Sequence, residues 1–162
     1  MRPALRFFAL LLTVWLLVGC DHVSKHLART NLADGSVVPL AGSAFDLRYT
    51  ENRDIAFNLL RFMPQGARTP LILTSGALAI AALGALLFSW RNGPRAPMFA
   101  LSLVLAGAIG NFVDRAWHGY VVDFLHVPHW PVFNVADIYV TVGVAALLLL
   151  GGSLSRSRAA PQ

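Results

Sequence analysis

Gly107-Ala108-Ile109-Gly110-Asn111-Phe112-Val113-Asp114-Arg115 closes one long apolar run, and Phe133-Asn134-Val135-Ala136-Asp137 opens the next. Two apolar helices joined as a hairpin return the chain to one side of a bilayer, so Asp114 and Asp137 are expected at the same depth. Carboxylates at a membrane boundary are costly and mark a functional or paired site. Two that share a site tend to share one proton, because like charges held close cannot both ionise cheaply. The stretch therefore predicts a helical membrane protein with an acid–base pair at one end of its bundle.

Composition supports that class. The 162 residues are 56% hydrophobic and only 13% charged, with a mean hydropathy of +0.60, which excludes an ordinary soluble domain. The length suits a single domain over 1–162, expected as a monomer. The net charge of +5 is nearly all arginine and sits at the ends and in loops. It reads as topology and lipid contact; a basic stripe with interleaved aromatics is absent, so no nucleic-acid partner is expected. One cysteine excludes an internal disulfide and a thiolate cluster.

Four spans are predicted, at about 7–28, 69–90, 96–114 and 136–155. Thr69 to Trp90 is the clearest, with 22 uncharged residues and a terminal Trp. The first has two readings. Arg2, Arg6, the apolar run and Leu17-Val18-Gly19-Cys20 look like a lipoprotein signal cleaved before Cys20. The favoured reading is a membrane helix continuing through Asp21-His22-Val23-Ser24-Lys25. Asp21 and Lys25 are then four apart on one helical face, acid first. Asp21 would lie ~21 Å along that helix at 1.5 Å per residue, in the outer third of the hydrocarbon. Arginines at the N-terminus, at Arg91 and Arg95, and at Arg156 and Arg158 place both termini in the cytoplasm. The segment of about 29–68 then lies outside, with short strands and turns resting on the helices, and 116–131 forms an outer loop.

At that face, Asp114 and Asp137 each fall ~27 Å from the inner end of their spans. Asn111 and Asn134 precede them by three residues, so each acid is expected to be oriented by its own amide neighbour. The dipole of the fourth helix favours a charged Asp137, and the end of the third disfavours a charged Asp114. Asp123 is a solvated loop residue or an orienting one. A metal is not expected: His118, His126 and His129 share the loop, but His-Glu-x-x-His is missing and the loop is Pro-rich. Nucleophilic serine has no Gly-x-Ser-x-Gly.

These residues resemble lipoprotein signal peptidase (signal peptidase II), a bacterial integral-membrane aspartic protease family. Asp21-x-x-Ser24-Lys25, Gly107 to Arg115, Val122-Asp123-Phe124 and Phe133 to Asp137 occur in the family's order. The resemblance implies four transmembrane helices with a small periplasmic β-rich cradle in the bacterial inner membrane. It implies Asp114 and Asp137 as the catalytic dyad, and Asp21, Lys25, Asn52, Asn111, Arg115 and Asn134 as residues that shape the site. It implies diacylglyceryl prolipoprotein substrates, no cofactor, and inhibition by globomycin. One block departs: Asn52-Arg53-Asp54-Ile55-Ala56-Phe57 stands where the family has Asn-x-Gly-Ala-Ala-Phe. Asp54 replaces a glycine, which takes φ > 0 at little cost, and Ile55, which resists it, replaces an alanine, so that loop is expected to run differently; Asp54 also adds a carboxylate. A non-catalytic relative that binds lipidated peptides is the second reading.

Overall fold

In the computed structural model, residues 3–40, 44–53 and 62–159 are described. Four helices, α1 (Pro3–Leu32), α2 (Gln65–Ser89), α3 (Arg95–His118) and α4 (Val135–Ala159), carry a small sheet of β1 (Val37–Leu40), β2 (Phe45–Asn52) and β3 (Val121–His126). The block from Asp54 to Phe57 lies outside the described residues.

Among the described residues, three helices are long and apolar enough to cross a membrane: Ala4–Leu32, Gly66–Ser89 and Arg95–His118. The fourth has a shorter apolar stretch, Val135–Gly151. Large apolar side chains such as Phe8, Leu12, Trp15, Leu78 and Leu148 are exposed on the helix surfaces. In water this would be a liability, and in lipid it is the expected solvent-facing surface. α1 runs through Cys20 without a break. Intact mass of the purified protein is therefore expected to retain residues 1–19; a mass corresponding to cleavage before Cys20 would revive the lipoprotein reading.

α3 is the hub and packs against each of the other helices. Met98, Leu101, Leu105 and Ala106 recur at helical spacing and meet Val14 and Val18 of α1 and Leu87 of α2 in the apolar core. Close approach of α3 and α4 depends on missing side chains. A Cβ on Gly107 would collide with the Ala136 carbonyl and sit 2.7 Å from Val140, and one on Gly143 would sit 2.7 Å from the Ala100 carbonyl. Gly107→Ala should thus force the helices apart and destabilise the fold by about 1–3 kcal/mol, the range for overpacking. Thermal unfolding in detergent would read this as a lower midpoint; an unchanged midpoint would show the crossing to be slack.

The sheet is antiparallel in the order β1-β2-β3. β1 and β2 fall in the segment expected to form strands. β3 does not: it lies within 116–131, which the sequence reading leaves as a loop. It pairs Asn52 with Val121 and Asp46 with His126, with an irregularity between Leu47 and Thr50. Its first four residues are all buried, so the strand lacks the alternation that would announce it. Val122 and Phe124 pack with Ala28 and Leu32 of α1, which seats the sheet on the helix ends. Gly119, at φ 77°, caps α3 and returns its N–H to the Arg115 carbonyl, so the chain reverses directly into β3. α3 also runs one turn beyond Asp114, so this acid is not at the helix end as expected.

Candidate active site

The polar side chains converge where α1, α3, β3 and the start of α4 meet. At the centre is the Lys25 ammonium, 3% exposed. It lies 2.7 Å from Asp21 Oδ2, 3.0 Å from Asp114 Oδ2, and donates to Asn111 Oδ1 at 3.1 Å. Asp21 Oδ2 is buried against the Lys25 ammonium, with which it forms an ion pair. Its other oxygen accepts the Ala136 N–H at 2.9 Å. Gly110 makes room for this carboxylate: a Cβ there would stand 2.5 Å from Asp21 Oδ2.

Asp137 is built into the first turn of α4. Asn134 precedes the helix and accepts the Asp137 N–H through its side-chain oxygen at 3.0 Å, while Asp137 Oδ2 accepts the Asn134 N–H at 3.2 Å. This reciprocal pair is a capping box and satisfies donors that a helix start leaves open. The Ala136 N–H, held by Asp21, is another such donor. α4 is therefore started by side chains from two elements, and that start fixes Asp137.

Asn111 does not orient its neighbour Asp114. Its amide crosses to Asp137 Oδ1 at 2.8 Å, and its carbonyl oxygen accepts from Lys25 and from Asn134. Asp114 is instead held by Lys25, by the Val122 N–H at 3.3 Å, and is approached by His22 at 3.7 Å and His118 at 4.0 Å. The chain Asp114–Lys25–Asn111–Asp137 thus links the two acids through a cation and an amide. Arg115 donates to the Asn111 backbone carbonyl at 3.2 Å.

Asp123 is no solvated loop residue. It is 2% exposed, and its two oxygens accept from Asn134 at 2.6 Å and from Asn52 at 2.9 Å. Sequence reasoning left its role open because nothing local distinguishes a buried strand acid from a loop acid. Burial pushes its carboxyl up to about 6, against the opposing pull of the Asn52 hydrogen bond. A native value above the unfolded 3.8 means the folded state holds the extra proton. Its contribution is complete below about pH 4 and is lost as pH rises through about 6. The thermal midpoint of the protein should therefore fall more over this window than that of Asp123→Asn; parallel profiles would contradict the assignment.

The loop histidines diverge. His118 faces Asp114, His126 bonds Asp46 at 2.9 Å in the sheet, and His129 is exposed in the loop at φ 66°. Asp46 is held down to about 2, first by Arg48 and then by His126. Among the described residues, no group of three or more His, Cys, Asp or Glu could hold a metal.

Comparison with known proteins bears on the family and the fold. The family described as signal peptidase (SPase) II matches residues 13–151. A lipoprotein signal peptidase of Chlorobium phaeovibrioides is 36% identical over 91% of this chain and 90% of its own length. One from Moorella thermoacetica is 40% identical over 85% and 88%. A solved structure described as a bacterial membrane enzyme superposes with a TM-score of 0.79 at 23% identity, covering 95% of this chain and 93% of its own, and so shares the fold. With most of its length matched by the family and by relatives of this identity, the chain belongs to the signal peptidase II family of membrane peptidases.

Proposed function

We propose that this protein is the endopeptidase that removes signal peptides from diacylglyceryl-modified prolipoproteins, cutting on the N-terminal side of the lipidated cysteine. Asp114 and Asp137 are its catalytic pair. The observation that carries the reading is the network, buried at Lys25 and Asp114 and half-buried at Asn111 and Asp137, that ties these two acids together inside a largely apolar bundle. One carboxylate acts as general base and takes a proton from water as its oxygen adds to the scissile carbonyl. The other, protonated, hydrogen-bonds that carbonyl and then gives its proton to the leaving amine. The two acids have unlike surroundings: the Lys25 ammonium and a backbone amide at Asp114, two amide donors and the charge of the Arg115 guanidinium at Asp137. Asp21, Lys25, Asn52, Asn111, Arg115 and Asn134 position this pair, with Asp123 behind Asn134.

A cavity of about 360 Å³ between α2 and α3 supports the substrate assignment. Ile72, Gly76, Ala79, Ala108 and Phe112 make it apolar, while Asn111 and Arg115 place polar groups at its edge. An extended signal peptide entering from the lipid would meet the network there. In this reading four helices span the inner membrane of a bacterium with both termini in the cytoplasm. The apolar part of α4, at 1.5 Å per residue, reaches ~25 Å, close to the ~30 Å hydrocarbon core. The sheet lies on the periplasmic side, and the protein works as a monomer without a cofactor.

The test is cleavage of a diacylglyceryl prolipoprotein by the purified protein in lipid, followed by mass spectrometry. The expected product begins at the lipidated cysteine, and globomycin prevents its formation. Binding of the precursor without any cleavage would favour a non-catalytic role.

A further inference from the structure

The opposite end of the bundle has its own chemistry. All eight acids of the chain lie within 21–54 or 114–137. Arg6 at the start of α1 and Arg95 at the start of α3 therefore have no side-chain carboxylate nearby on their own helices: Asp21 is ~22 Å further along α1. These two arginines belong to one groove of about 320 Å³ between α1 and α3, whose wall is Ala9, Leu10, Thr13, Met98 and Phe99. The one hydroxyl of that wall, on Thr13, donates back to the Ala9 carbonyl at 2.9 Å. The groove thus has an apolar length and a cationic end.

One of the two guanidiniums is held in place. Arg6 donates to the Gly93 carbonyl at 3.0 Å, in the turn between α2 and α3. α3 begins after Pro94 with no side-chain cap and no acid in its first turn. The positive end of its dipole adds to the two guanidiniums. Guanidinium groups match phosphate oxygens with paired hydrogen bonds. A ligand that satisfies both parts has one phosphate and an alkyl chain.

We propose that this groove binds an anionic phospholipid, with its phosphate between Arg6 and Arg95 and one acyl chain against Ala9, Leu10 and Phe99. The inference rests on the membrane-embedded reading given above but not on the peptidase reaction. From Arg6 to Thr13 the wall extends ~10 Å, enough for the first part of an acyl chain. Such a lipid would supply the counter-charge that this end of the chain lacks.

The full-length protein in a neutral maltoside detergent, offered dioleoyl phosphatidylglycerol or dioleoyl phosphatidylcholine and examined by native mass spectrometry, tests it. The wild type should bind the anionic lipid about tenfold more tightly or better, given ~1 kcal/mol per basic residue at a lipid surface. Arg6→Gln with Arg95→Gln should abolish the preference. Arg156→Gln with Arg158→Gln removes the same charge from the C-terminal segment and should keep it. Ala9→Phe fills the groove and should weaken phosphatidylglycerol binding with both arginines in place. Absence of a preference in the wild type, equal loss in the C-terminal variant, or full binding by Ala9→Phe would each overturn the site. All these variants should cleave prolipoprotein at the wild-type rate in fixed detergent. Inactivity of the wild type in that assay would count against the peptidase reading and leave the lipid result standing.

Discussion

Lys25→Met should destabilise the protein by about 3–5 kcal/mol, the cost of breaking a buried charge pair from one side. Lys25 faces two carboxylates, Asp21 at 0% and Asp114 at 2% exposure, and also holds Asn111. A methionine fills similar volume but leaves both acids without their cation. The damage spreads, because Asp21 also holds the Ala136 N–H at the start of α4, and Asn111 holds Asp137. Chemical or thermal unfolding in detergent should show the loss. Adding Asp21→Asn to Lys25→Met should return part of it, since one of the two stranded charges is then removed, and such coupled sites are not additive. A single variant as stable as wild type would mean that water reaches the cluster.

Asp114→Asn and Asp137→Asn should each lower prolipoprotein cleavage by about 10³-fold, within the range of acid–base catalysis. Their stabilities should differ. Asp114 Oδ2 accepts the Val122 N–H, which an asparagine oxygen in that place keeps, and Lys25 loses one of its two counter-charges but retains Asp21. Asp137 uses both its oxygens, one for Asn111 and one for the Asn134 N–H. An asparagine there turns one acceptor into a donor facing a donor, which costs about 1–3 kcal/mol. Asp137→Asn should therefore unfold at the lower temperature, a comparison that separates the structural share of the effect from the chemical one.

Much of this arrangement was legible in the sequence because it is local. Four apolar runs give four helices. Asp21 and Lys25, four apart, do form the ion pair their spacing implies. Asn134 and Asp137, three apart at a helix start, do hold each other. The same spacing rule misled at Asn111, whose amide turns to Asp137 on the next helix rather than to Asp114 on its own. Helical periodicity fixes which side chains share a face and leaves open which neighbour across the interface competes for them. Lys25 shows the same limit: its second carboxylate comes from α3, which nothing in the first span announces. β3 escaped notice because burial of Val121, Val122, Asp123 and Phe124 on both sides erases the period-two signal. With the strand unseen, Asp123 had no reason to be buried.

The pairing of Asp114 with Asp137 is tested most directly by cleavage of one diacylglyceryl prolipoprotein by wild type, Asp114→Asn and Asp137→Asn, in the same lipid and at matched folded fractions. Rapid processing by the wild type is predicted, with release at the lipidated cysteine, and only trace product from either folded variant. Processing by either variant at the wild-type rate would contradict the account.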